Sequence, residues 1–205
     1  LMIVVSGILT DMVPAWPVTE DILLIAIFGG LINALAISLC LFGLVLPGDD
    51  IVSATGMPYD TLQDIIGWGE GDAPVGSLRE MGVSFHPVAL RGGKIDLDAV
   101  ENAITPKTKL VIAQRSRGYD WRPSLMPEEF APLAKMLHEK HPGVRLMVDN
   151  CYGEFVCEKE PSHYGADVCV GSLIKNPGGG LAPTGGYIVG TQEAVERIAY
   201  RLTAP

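Results

Sequence analysis

Val144-Arg145-Leu146-Met147-Val148-Asp149-Asn150-Cys151-Tyr152-Gly153-Glu154 and, a little further on, Asp167-Val168-Cys169-Val170-Gly171-Ser172-Leu173-Ile174-Lys175-Asn176-Pro177 decide the fold. Each is a short, mostly apolar run that stops abruptly at polar residues and turn formers, as a buried strand does where its carboxyl end leaves the sheet. Outward from this pair the same rhythm continues. Further strands are expected at Ile51–Ala54, Val83–Leu90, Lys109–Gln114 and Gly186–Gly190. Helices are expected at Tyr59–Gly67, Leu97–Ile104, Pro127–Glu139 and Gln192–Arg201. Leu97-Val100-Ala103-Ile104 and Phe130-Leu133-Ala134-Leu137 carry the three-and-four spacing of an amphipathic face. Pro127 followed by Glu128 and Glu129 suits a helix start, where no donor is needed and acids meet the positive end. Strands alternating with helices predict an α/β protein: a mostly parallel sheet with helices on both faces.

The 205 residues, 48% hydrophobic and 19% charged, suffice for one domain with a substantial core. Fifteen basic against 24 acidic residues leave a net charge of −9, which argues against gripping a nucleic-acid backbone. The four cysteines, Cys40, Cys151, Cys157 and Cys169, have no zinc-like spacing, so no metal site is expected. They read as reduced thiols of a cytoplasmic protein. Residues 22–46 contain no charged side chain and are long enough to span a bilayer. Their flanks are acidic (Glu20 and Asp21, Asp49 and Asp50), and the first basic residue is Arg79. The Lys/Arg asymmetry that orients a span is therefore missing, and a buried helix covering a sheet is the preferred reading, with a membrane anchor as the alternative.

In open α/β sheets ligands bind beyond the carboxyl ends of the strands. Asp149 ends one expected strand; Ser172-x-x-Lys175 ends the next, in a turn rich in glycine (Gly178-Gly179-Gly180). Taken singly, Asp149 fits a cap or turn acid and Lys175 a solvated loop lysine. Together they supply what pyridoxal 5'-phosphate chemistry requires. A lysine amine joins the cofactor aldehyde, a carboxylate keeps the pyridine nitrogen protonated, and a serine hydroxyl can donate to the phosphate. Arg115, Arg117 and Arg122 follow the Lys109–Gln114 strand and could fork a substrate carboxylate or the phosphate, or else serve as a solvated loop or subunit contact.

The run Val148 to Tyr152 with Gly171 to Lys175 resembles fold-type I pyridoxal-phosphate enzymes of the cystathionine/methionine lyase group. Gln114-Arg115-Ser116-Arg117-Gly118-Tyr119-x-Trp121-Arg122-Pro123, Asp149 to Phe155 and Gly171 to Tyr187 are similar to the methionine gamma-lyase-like, or aluminium-resistance, family. The resemblance covers residues 39–205. It implies Lys175 as the Schiff-base lysine, Asp149 as the pyridinium partner and Tyr59 as an aromatic stacked on the ring. It further implies a carbon–sulfur lyase of small sulfur-containing amino acids, assembled as a homodimer or homotetramer. Two features depart from the family. Its Ser-Gly-Thr-His-Ala phosphate turn falls on Ile32-Asn33-Ala34-Leu35-Ala36, where only the last alanine is kept. Enzymes of this group are also about twice as long. The expected organisation is thus an unassigned segment at 1–32 and a pyridoxal-phosphate-binding large domain at 33–205, without a small carboxyl-terminal domain. An inactive large-domain scaffold is the alternative to a lyase.

Overall fold

The computed structural model describes residues 3–5, 22–27, 41, 43–179, 181–182 and 185–203, the first two segments as backbone. Eight strands form one sheet: β1 (Ile3–Val5), β2 (Ile22–Ile27), β3 (Asp50–Ser53), β4 (Ser84–Pro87), β5 (Thr108–Gln114), β6 (Arg145–Asp149), β7 (Val168–Ser172) and β8 (Gly186–Thr191). Their order is β1-β2-β8-β7-β6-β5-β3-β4. Neighbours are parallel except that β8 runs antiparallel to both β7 and β2. Among the described residues the helices whose bounds are set are α1 (Asp60–Ile66), α2 (Leu97–Ala103), α3 (Ala131–Lys140) and α4 (Gln192–Thr203). The expected α/β class, with a mostly parallel sheet and helices on both faces, is the one observed.

Side chains alternate across each strand, so two separate cores form. On one face Ile51, Leu110, Ile112, Met147, Val168, Val170 and Ile188 pack under Leu62 and Ile66 of α1 and Val195 and Ile198 of α4. On the other, Val52, Val111, Ala113, Leu146, Val148 and Cys169 pack under Val100 of α2 and Leu133 and Leu137 of α3. β3, β6 and β7 are buried nearly end to end, as strands covered on both faces must be. The expected helix from Pro127 is divided. Pro127–Phe130 is a 3-10 turn and the α-helix starts afresh at Ala131, because Pro132 has no amide to continue the ladder. Asp96 caps α2 by accepting from the Ala99 amide at 3.2 Å.

Ile22–Ile27 departs from the buried-helix and membrane-anchor readings of 22–46: these residues form β2, paired over their whole length with β8. A continuous apolar run is what both a buried helix and a strand covered on both faces look like, and here pairing decides. The segment assigned to neither family nor domain at 1–32 thus contributes β1 and β2 to the common sheet. The phosphate-turn positions 32–36 lie outside the described residues. Among the described residues, no helix is long and apolar enough to cross a membrane.

Candidate active site

Counting along the strands puts the polar ends on definite faces. Leu110 and Ile112 share a core with Met147 and Val170, so Gln114, Asp149 and Ser172 stand on that face. Arg115 follows Ala113 and falls on the other.

Beyond the strand ends lies a cavity of about 280 Å³. Asp149, Cys151, Tyr152 and Lys175 line it from the β6 and β7 ends, Gln114 and Ser116 from β5, and Tyr59, Asp60 and Thr61 from the start of α1. The two side chains that the chemistry requires, Asp149 and Lys175, therefore share one cavity on one face. Tyr59 sits at the cap of α1 yet makes no capping hydrogen bond; that position is given to a ring facing the cavity. A larger cavity of about 550 Å³ lies away from these groups, by the amino end of β4, lined by Trp68 and Phe85. Its arginine, Arg79, is committed to the Gly69 and Gly71 carbonyls.

The two loops that carry the pair are tied together. Asn176 Nδ2, next to Lys175, donates to the Tyr152 carbonyl at 2.9 Å and the Glu154 carbonyl at 3.2 Å. Tyr152 and Phe155 hold left-handed backbones (φ 65° and 62°), which non-glycine residues adopt at a cost unless their surroundings enforce it. Arg115 provides the enforcement. Its guanidinium donates to Asn150 Oδ1 and the Gly153 carbonyl, both at 2.8 Å, to Glu160 Oε2 at 3.3 Å, and to the Leu125 carbonyl at 3.2 Å. Glu160 in turn accepts from the Phe155 amide at 2.9 Å. Beside this network Glu154 Oε1 accepts from the Tyr187 hydroxyl at 2.9 Å, in space left open by Gly171, where any side chain would collide with both.

Charge follows from burial. Asp149 is 7% exposed, and burial raises its pKa above the ordinary carboxylate value, opposed by hydrogen bonds from Cys151 and by the charge of Lys175. Burial works to lower Lys175, but Cys151, Asp149 and Tyr152 outweigh it and the amine ends above the ordinary lysine value. Its Nζ lies 4.2 Å from the Tyr152 ring centroid. The amine therefore holds its proton more tightly than an ordinary lysine. Burial, reinforced by Asp149, also raises Tyr59, which stays a neutral phenol.

Of the two readings left open for the arginines, the geometry favours contacts within the protein over a fork for an anion. Arg115 is 4% exposed and locked beneath the 150–160 loop, unable to reach a substrate. Arg122 turns to the Gln114, Ser116 and Pro123 carbonyls. Arg117 is exposed, stacked 5.4 Å from the Trp121 ring centroid. Ser172 stands on the cavity's face but is fully buried; its Oγ accepts from the Ile174 amide at 3.2 Å and the residue is not part of the cavity wall. Sequence reasoning missed Gln114, which strand parity would have found, and Cys151, placed two residues after Asp149 where an Asx-type turn brings an amide to the carboxylate. Arg115→Ala should lower unfolding free energy by about 3–5 kcal/mol in a denaturant titration, since it strands buried acceptors and a carboxylate. Arg117→Ala should change it by less than about 0.5 kcal/mol.

Comparison with known proteins agrees with this geometry. The family model for methionine gamma-lyase matches residues 26–205. The uncharacterised protein YnbB of Bacillus subtilis is 50% identical over 171 residues, 83% of this chain and 40% of that protein. L-methionine gamma-lyase of Pseudomonas putida is 30% identical over 166 residues, 80% of this chain and 36% of the enzyme. The crystal structure of a carbon-sulfur lyase involved in aluminum resistance from Clostridium novyi superposes with a TM-score of 0.82 at 39% identity, covering 89% of this chain and 43% of that one. The chain spans less than half the length of these relatives. Its strand order, its paired loops and the family match over most of its length place it in the methionine gamma-lyase family.

Proposed function

We propose that the protein is a pyridoxal-phosphate-dependent carbon–sulfur lyase acting on a small sulfur-containing amino acid of the methionine or cystathionine type. The observation that carries this reading is the shared cavity of Asp149 and Lys175 under Tyr59. The donor set fits the cofactor: a buried carboxylate suits a cationic ring nitrogen, an amine suits an aldehyde, and an aromatic wall suits a flat ring. When bound, pyridoxal phosphate supplies an electron sink for the carbanion formed beside the substrate's carboxylate.

The residues divide the remaining work. Asp149 would hold the ring nitrogen and keep it charged, and Lys175 would supply the amine that meets the aldehyde. Lys175 also moves protons at the α and β carbons, since it reaches the cavity from a short turn tied to the β6 loop. Tyr59, a neutral phenol in the cavity wall, would cover one face of the ring and exclude water. Gln114 and Ser116 offer polar contacts to the substrate from the β5 end. A homodimer or homotetramer belongs to the same reading, supported by Tyr119 and Tyr152, which line the cavity yet stand exposed, and by the exposed Trp121 and Phe155. A cytoplasmic setting is supported by the free thiols Cys151, Cys157 and Cys169.

The test is addition of pyridoxal phosphate to the purified protein, followed by L-methionine or L-cystathionine. The reading expects a new long-wavelength absorbance band, then release of a thiol, ammonia and a 2-oxo acid. A folded protein with no spectral change would contradict it and support a cofactor-free scaffold instead.

A further inference from the structure

Glu154 takes no part in the reading above, yet its carboxyl is buried, 2% exposed, on the loop that carries Tyr152 to Lys175. Gly171 lies two residues after Cys169, so the side it leaves bare faces the α2 and α3 core, opposite Asp149. Glu154 Oε1 and the Tyr187 ring occupy that gap. The 149–155 loop thus starts on the cavity face of the sheet and sends one anchor to the other face.

The hydrogen bonds leading to this anchor have a fixed direction. Arginine only donates, so Arg115 holds the Asn150 carboxamide with Oδ1 toward itself at 2.8 Å. That leaves Asn150 Nδ2 to donate to the Tyr187 oxygen at 3.3 Å, and the single phenol proton to donate to Glu154 Oε1 at 2.9 Å. Glu154 Oε2 has no hydrogen-bond partner among the described residues. Arg115, the cation of this network, is committed to Asn150, Gly153, Leu125, Cys157 and Glu160. A buried carboxylate with one neutral donor and one bare oxygen costs far more than the neutral acid in the same place. Burial accordingly raises its pKa, against its own amide, Tyr187 and Lys175 and together with Asp149.

We propose that Glu154 is a positioning residue: as a neutral acid seated against Gly171, it holds the left-handed turn at Tyr152 and Phe155, and with it the Lys175 turn, in place. The coupling runs through Asn176, whose Nδ2 donates to both the Tyr152 and Glu154 carbonyls. What this placement serves rests on the cofactor reading, but the anchoring can be measured without cofactor. The titratable groups around Glu154 are Asp149 and Cys151 of its own loop, Lys175 beyond β7, and Tyr187 of β8 with Cys169 of β7 beside it. Arg115 and Glu160 join them through Asn150.

The experiment follows deuterium uptake of the peptide spanning 150–157 against pH in cofactor-free wild type, Glu154→Gln and Tyr187→Phe. An acid kept neutral in the closed loop ionises when the loop opens. Opening, corrected for intrinsic exchange, should therefore grow about tenfold per pH unit above the ordinary glutamate value, then level off once the closed loop ionises too. Glu154→Gln, a neutral isostere, should match wild type at low pH and lack this rise. The rise should persist in an Asp149→Asn background, which separates it from Asp149. Tyr187→Phe, without the donor to Oε1, should carry the rise to higher pH. With pyridoxal phosphate, Glu154→Gln should form the absorbance band as wild type does, and Glu154→Ala about tenfold more weakly, the scale of one lost buried hydrogen bond. Equal rises in wild type and Glu154→Gln, a Glu154→Gln loop already open at low pH, or a Tyr187→Phe rise that ends where that of wild type ends, would overturn the assignment. A wild type without any cofactor band would count against the lyase reading alone, because the exchange profiles decide this one.

Discussion

Lys175→Ala is expected to abolish the long-wavelength absorbance band formed with pyridoxal phosphate and to reduce lyase turnover by about 10³-fold or more. One side chain carries two duties in the proposed reaction, nucleophile toward the aldehyde and proton carrier at the substrate carbons, and general acid–base work alone contributes about 10²–10⁴-fold. Stability should change little. The amine is half-exposed and its contact with the Tyr152 ring is a surface interaction worth about 0.5–1 kcal/mol. A separate consequence singles out the neighbour: with the cation gone, Asp149 loses one of the influences that oppose its burial and should ionise at still higher pH. Wild-type absorbance in the alanine variant would show that the amine meeting the cofactor lies elsewhere.

Asp149→Asn is expected to move function and stability in opposite directions. The asparagine keeps an oxygen to accept from the Cys151 amide but cannot balance a protonated ring nitrogen. Turnover should fall by about 10²–10³-fold, the scale of losing one preorganised electrostatic partner. The stability argument follows from linkage. Burial raises the folded pKa of Asp149 above its unfolded value, so the native state holds the proton more tightly than the unfolded chain. In cofactor-free protein this makes stability highest below the unfolded carboxylate pKa. It then falls as pH rises from there through the folded value. Glu154, raised by burial in the same way and with Oε2 lacking a hydrogen-bond partner among the described residues, adds to the fall. Asp149→Asn removes the cavity-facing part of it and should raise the neutral-pH unfolding free energy by about 1 kcal/mol, a gain of about 2–4 °C in Tm. Scanning calorimetry at several pH values checks the sign. A variant less stable than wild type at neutral pH would make Asp149 a structural acid.

Much of this was legible in the residues. β6 and β7 end within a residue of where the apolar runs stop, because a strand covered on both faces tolerates polar groups only at its ends. Asp149 and Lys175 could be paired for the same reason. What was not legible depended on information that local pattern does not carry. Ile22–Ile27 reads equally well as helix or strand until its antiparallel partner β8 is known. Arg115 looks like an anion fork from its place after β5. Strand parity turns it to the face opposite Asp149, where its charge serves the strained turn at Tyr152 and Phe155. The raised pKa of Lys175 depends on which groups crowd it across two loops. Spacing along the chain says nothing about that.

The account is tested most directly by borohydride trapping of added pyridoxal phosphate, followed by peptide mapping with mass spectrometry. A single pyridoxyl-modified peptide containing Lys175, lost in Lys175→Ala and weakened in Asp149→Asn, is the predicted result. Modification spread over exposed lysines such as Lys107, Lys135 and Lys159, or one unaffected by Asp149→Asn, would contradict it.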